Sequence, residues 1–241
     1  MLAISTIIVS VLSLVPLLSM GSLGSLVSPS CQAGLSQPSS RLPPPKSLDM
    51  PLGEALAKRR SVRSFDPGRR PSAENVSALL WAASGITRPE PEHPQGGKRT
   101  APSAFGAGSV EVFVASADGW FLYDPKAHAL ERRGSEDLRA TLAGADWARG
   151  APVIFVFVAD LERYPERVPA EERRIYAYAD GAAAGENLYL AATALGLGTV
   201  LTMAPAREVS AALGLRESEL PTYVFPVGCP SEESGATSPP R

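Results

Sequence analysis

Residues 58–65 read Lys-Arg-Arg-Ser-Val-Arg-Ser-Phe, three arginines and two serines in eight positions immediately after an amphipathic run. Leu52, Leu56 and Arg60 fall on one helical stripe. Arg59, Ser61 and Arg63 can therefore leave the last turn and fork toward one bound group. A planar guanidinium offers paired N–H donors that match a phosphate, and a hydroxyl adds a neutral donor. The stretch has a plainer reading too, a basic helix end that complements the helix dipole and stays solvated.

Other chemistries find little to work with. The only histidines are His93 and His128, too few for a histidine-based zinc site or a serine-histidine triad. The two cysteines, Cys31 and Cys229, show no metal-ligand spacing, and the length of chain between them argues against an internal disulfide. No Gly-x-Ser-x-Gly elbow occurs, and Gly97-Lys98-Arg99 lacks the earlier glycine and the Ser/Thr of a phosphate loop. A formal net charge of -2, with the arginines local rather than striped, gives no reason to expect nucleic acid.

The elements that position the arginines follow from hydrophobic periodicity. The 241 residues, 44% hydrophobic and 20% charged, suffice for one domain with a full core. Residues 52–60 read as a helix. Ser72 caps a second through Ala83, whose buried stripe is Val76, Leu79, Leu80 and Ala83, with Trp81 assigned to packing. Residues 88–99 read as a loop containing His93. From Val110 the period becomes two, and turns at 117–119 and 124–125 give a meander of antiparallel strands, in which Tyr123 and His128 are architecture. Residues 136–149 read as a helix and residues 153–159 as a strand buried on both faces. Residues 171–195 form the longest helix, and its bulk-free middle, 181–185, is expected to lie against a second helix in the protein or in a dimer. Residues 199–203 are another strand, 206–213 a short helix closed by Gly214, and 222–227 the last strand. The fold class is α+β, a central antiparallel or mixed sheet flanked by helices.

Outside residues 47–229 the composition changes. The first forty residues carry no charge, and residues 2–27 are apolar or small, broken by Pro16, Gly21 and Gly24. Residues 1–27 read as an export signal or a membrane anchor, placing the protein outside the cytoplasm or on a membrane; a misassigned start codon would leave it cytoplasmic. Residues 28–46 are a Ser/Pro-rich linker and 230–241 a tail.

Together with Thr-Ala-Pro-Ser-Ala at 100–104, the Gly-Glu-Asn-Leu-Tyr run opening residues 185–199 and Pro-Val-Gly at 226–228, the arginine cluster resembles, in order and spacing, the FMN-dependent nitroreductase family. It is most similar to the azoline (thiazole/oxazole) dehydrogenase branch. The resemblance implies a homodimer with FMN at its interface, oxidising NAD(P)H or an organic donor and reducing a small molecule by ping-pong hydride transfer. The flavin itself does the chemistry, with no metal and no protein acid or base required. It implies that Arg59, Arg60 and Ser61 hold the phosphate and ribityl chain and that Arg63 lies near the pyrimidine edge. Pro102, Ser103 and Ala104 are to approach the flavin from the other subunit, while Thr202, Met203 and Ala204 offer backbone N–H groups.

This chain also departs from the family pattern. Phe105 and Gly106 stand where the family often carries Asn or Gln, and Val168-Pro169 where azoline dehydrogenases carry Lys-Tyr. Only Arg241 follows Gly228 in place of a basic pair. Two further readings therefore stay open: a degenerate flavin-binding module without turnover, and a membrane-tethered interaction domain without cofactor.

Overall fold

The computed structural model describes residues 40–232. The expected signal, most of the linker and Arg241 lie outside them. Among the described residues, no helix is long and apolar enough to cross a membrane.

The sheet is built on β7 (Val153–Asp160), buried along its whole length as its continuous apolar run requires. It lies between β4 (Val110–Ser116) and β10 (Glu219–Gly228), antiparallel to both. The expected meander continues outward from β4 through β5 (Gly119–Asp124) and β6 (Ala129–Gly134) to β1 (Ser40–Arg41). On the other side, β10 carries β8 (Gly198–Thr199) and β9 (Thr202–Met203), into which the strand expected at 199–203 divides.

The two-residue period of β7 sorts the core. Phe155 and Phe157 face α2 (Ala73–Ser84) and α4 (Ala170–Ala194), joining Val76, Leu79, Leu80 and Leu188. Ile154, Val156 and Val158 point the other way, toward α3 (Arg139–Leu142) and α5 (Ala206–Leu213). Ser72 caps α2 as expected, accepting from the Asn75 amide at 3.3 Å.

Three expectations change. Residues 88–99 are no loop, since β2 (Ile86–Pro89) pairs with β3 (Gly97–Arg99) in a separate hairpin. The helix read at 136–149 is broken into α3 and a 3-10 turn (Asp146–Ala148), because Gly144 sits between them at φ 72°, which a helix cannot include. α4 packs against a second helix, α2, as expected, but its two glycines meet the sheet: a methyl at Gly185 would lie 2.4 Å from the Phe225 ring, and one at Gly181 3.0 Å from the Thr222 hydroxyl. Cys229 is fully buried and disulfide-bonded, and the expectation about a pairing with Cys31 falls on a residue outside those described.

His128 is architectural, as expected. Its Nε2 lies 2.8 Å from Ser77 Oγ, which donates to the Pro43 carbonyl, so Nε2 carries the proton. Nδ1 then accepts from the Tyr123 hydroxyl at 2.8 Å. Burial holds the imidazole below its ordinary value of 6.5, only partly offset by the Pro43 carbonyl. A lowered histidine value favours the neutral folded form. Stability is expected to be full above pH 6.5, to fall as the pH drops below it and to level off once the folded value is passed. Chemical denaturation across that range should show the loss in the parent and a flatter profile in His128→Asn, since Asn tolerates the positive φ of 47° at this position.

Candidate active site

The arginine cluster begins where α1 (Leu52–Lys58) ends. Arg59 is its C-cap, with ψ 125°, so the chain leaves the helix extended. Ser61 then bridges Thr199 in parallel, and the Val62 amide donates to the Thr199 carbonyl at 2.9 Å. This seats the cluster beside the edge of the main sheet. Tyr189 of α4 organises it from below: the Arg59 guanidinium stands 5.1 Å from the ring centroid, the Tyr189 hydroxyl is 3.2 Å from Ser61 Oγ, and the same hydroxyl accepts the Leu201 amide at 2.8 Å. Arg63 stands over the Trp147 ring at 5.9 Å. The turn preceding Trp147 abuts the stretch after β9, since a methyl at Gly144 would be 3.2 Å from Pro205 and 3.4 Å from the Met203 carbonyl.

Arg59, Arg60, Ser61 and Arg63 are thus brought to one corner with Thr202, Met203 and Ala204. Met203 is exposed. The Ala204 amide is occupied, donating to the Thr222 carbonyl at 3.1 Å, and the Thr202 hydroxyl donates to Val224. An open hollow of about 580 Å³ lies at this corner, lined by Lys58, Arg59, Arg60, Thr193, Gly196 and Pro230 among others. No carboxylate among the described residues pairs with Arg59, Arg60 or Arg63, whereas the neighbouring Lys58 is held by Glu54. The Thr199 hydroxyl, buried next to Ser61, has no hydrogen-bond partner.

Pro102, Ser103 and Ala104 are not at that corner. They are fastened to Asp180, whose carboxylate accepts from Ser103 Oγ (2.7 Å), the Ala104 amide (2.9 Å) and the Tyr164 hydroxyl (2.9 Å). Ser103 Oγ also accepts the Gly108 amide at 2.9 Å, so that side chain is committed. Burial and the neighbouring Asp180 raise the Tyr164 phenol well above its ordinary value and keep it a donor. Asp180 and Tyr189 are nine residues apart on one helix, about 14 Å at 1.5 Å per residue. Phe105, with a left-handed φ of 57°, is 52% exposed, edge-on to Tyr176 and beneath Arg167.

A profile of the nitroreductase family matches residues 56–229, the span that holds the arginine corner, the Asp180 cradle and the whole sheet from β4 onward. The chain belongs to the nitroreductase family. Two proteins each named "putative nitroreductase" are similar to it. The Methanocaldococcus jannaschii protein is 31% identical over 198 residues, covering 76% of this chain and 93% of its own. The Ralstonia eutropha crystal structure is 34% identical, with a TM-score of 0.73 over 85% of this chain and 95% of the other. A Desulfovibrio desulfuricans nitroreductase-type structure solved in complex with FMN shares the fold, at 24% identity and a TM-score of 0.53, over 80% of this chain and 93% of its own.

Membership makes this nitroreductase an oxidoreductase. It also directs attention to residues that motif reading passed over. Tyr189 lay inside a quoted motif without a role, and its position four residues after Gly185 places it on the buried side of α4. Asp180 could have been noticed, as a lone carboxylate on the Ala177, Gly181, Ala184 stripe must find donors once buried. Trp147 had no such signal, because the break at Gly144 decides where it points.

Proposed function

We propose that this nitroreductase is an FMN-dependent enzyme that takes electrons from NAD(P)H or an organic donor and passes them to a small-molecule acceptor in a ping-pong cycle, as a homodimer. The observation that carries the reading is the pair of guanidinium groups, Arg59 and Arg60, at one hollow, with Arg63 close by in the chain, none of them held by a carboxylate among the described residues. Such a cluster suits a phosphate, and the unpartnered Thr199 hydroxyl beside Ser61 leaves a further donor for the same ligand. Bound FMN supplies the hydride chemistry. Arg59, Arg60 and Ser61 hold its phosphate and ribityl chain. Arg63, braced on Trp147, places a positive charge near the ring, while Thr202 and Met203 border it. We place the FMN domain at residues 47–229 and read residues 2–27 as its export signal or anchor.

Because a charge-assisted hydrogen bond contributes roughly 1.5 to 3 kcal/mol, Arg59→Ala is expected to weaken FMN binding by about one to two orders of magnitude, measured by quenching of flavin fluorescence. Unchanged affinity in both Arg59→Ala and Arg63→Ala would reduce the cluster to a helix end.

The dimer follows from the distance along α4. Pro102 to Ala104 cannot serve the flavin held at the arginine corner of their own subunit, so we assign them to the partner's. Leu52 and Leu56 of α1 and Ile175 of α4, exposed at 66%, 55% and 66%, offer apolar surface for that association. The double variant Leu56→Glu, Ile175→Glu is expected to sediment as a monomer and to lose FMN with the dimer. A parent protein that binds FMN stoichiometrically as a monomer would contradict this.

A further inference from the structure

The main sheet splits at one corner. The β4–β5 ladder runs from Ser116 opposite Gly119 only as far as Phe113 opposite Leu122. Beyond it, Val110, Glu111 and Val112 stay with β7, while Tyr123 and Asp124 follow β6. Between the diverging strands lies a cleft of about 270 Å³, closed by Ser84, Gln95, Arg99 and Arg163.

Two carboxylates lining this cleft are held in ion pairs. Glu111 is paired with Arg163, and Glu131 with Arg133 at 2.8 Å. Asp124 accepts the amides of Lys126 and Ala127, and Lys126 Nζ donates to the Pro94 carbonyl at 3.0 Å. Lys126, exposed, and Arg99, half-buried, form no ion pair among the described residues, and Arg99 is the more enclosed of the two. Its Nη1 donates to the Ser84 carbonyl at 2.8 Å and lies 3.5 Å from Ser84 Oγ, its Nε is enclosed without an acceptor, and no carboxylate among the described residues forms an ion pair with it. Burial, and secondarily the nearby Arg163, lower its affinity for its proton, and Tyr123, Asp124 and Glu111 offset this only in part. A half-buried cation that is only partly compensated is costly, and an anionic ligand would reduce that cost.

We propose that this cleft is a ligand site, separate from the arginine corner, that takes a small monocarboxylate with a compact apolar body. Arg99 meets the carboxylate with the guanidinium N–H groups that Ser84 does not engage. Val110, Val112, Leu122 and Pro125 take the body, and the small volume limits it to one ring or a short branched chain. With Arg163 and Arg133 already paired to Glu111 and Glu131, Arg99 is left to balance a single negative charge, which distinguishes this site from one built for phosphate. Ser84, Arg99 and Val110 also line a narrow gap leading to Pro102, Ser103 and Asp180, so a bound carboxylate would adjoin the Pro102 to Ala104 cradle.

Isothermal titration of the full chain without FMN, with benzoate and isobutyrate as probes and benzamide as the neutral control, tests the site. Both carboxylates are expected to bind at millimolar concentration or better, and benzamide much more weakly. Arg99→Gln should weaken them by roughly 10- to 100-fold, Arg99→Lys by less, and Arg63→Ala not at all. If Arg99→Gln does not fold, the Nε–H resonance of Arg99 in the parent, followed by NMR, should shift on adding benzoate. No carboxylate binding to the parent, equal binding by folded Arg99→Gln, loss in Arg63→Ala or an unmoved Nε–H resonance would each overturn the proposal.

Discussion

Asp180→Ala is expected to lower the stability of this nitroreductase by about 3 to 5 kcal/mol, because three donors lose their common acceptor and each buried unsatisfied group costs roughly 1 to 3 kcal/mol. The donors are Ser103 Oγ, the Ala104 amide and the Tyr164 hydroxyl, and Ser109 Oγ, 3.3 Å from Asp180 and 2.7 Å from the Tyr164 hydroxyl, is drawn in with them. Against a domain stability of about 5 to 15 kcal/mol, this is a large share. Asp180→Asn keeps one acceptor but turns an NH₂ toward donors, so an intermediate loss is expected. Urea denaturation of the parent and both variants provides the measurement; a loss below about 1 kcal/mol for Asp180→Ala would mean that water replaces the carboxylate and that the cradle is not fixed by it. Freed from Asp180, the Pro102 to Ala104 segment should also become more open to proteolysis.

The second large effect lies where α4 crosses β10. Phe225 is fully buried, its ring against Gly185 and within 4.8 Å of the Phe157 centroid and 6.1 Å of the Tyr189 centroid. Phe225→Ala is expected to cost about 3 to 5 kcal/mol through the lost contacts and the cavity. The reverse error, Gly185→Ala, drives a methyl into the same ring and should cost about 1 to 3 kcal/mol. The pair should be non-additive: Gly185→Ala combined with Phe225→Leu is expected to be more stable than the sum of the single variants, since the smaller side chain makes room for the methyl. Additive losses in thermal or urea unfolding would show that the two sites relax independently. Because Tyr189 touches Phe225 on one side and Ser61 on the other, Phe225→Ala should also loosen the arginine corner.

What could be read from the sequence was what local periodicity and charge determine. The apolar run of β7, the alternation through β4 and β5, the Ser72 cap and the small helix ending at Gly214 depend on near neighbours, and each formed where its pattern placed it. The arginine cluster was legible for the same reason, since α1 ends just before it and releases Arg59 in extended backbone. What could not be read was set by long-range packing. The small residues 181–185 gave no sign that a strand would approach as well as a helix, and the aromatic Phe225 of β10 does. The hairpin of β2 and β3 hid in a stretch rich in Pro and Gly, whose pairing owes little to hydrophobic alternation. Pro102 to Ala104 were read as approaching a partner's flavin, and what that reading did not supply is their anchor, Ser103 bound to Asp180 within its own subunit. The partly compensated charge of Arg99 appears only once the strands around it have diverged.

The central claim, that the arginine corner holds FMN for electron transfer, is tested most directly by an absorbance spectrum of the full chain after incubation with FMN and removal of the excess, followed by anaerobic titration with NADPH and NADH. The account predicts one FMN per subunit and bleaching of the bound flavin, with colour restored by a quinone. A protein that stays colourless, or that keeps a flavin neither nucleotide nor any organic donor bleaches, would contradict it.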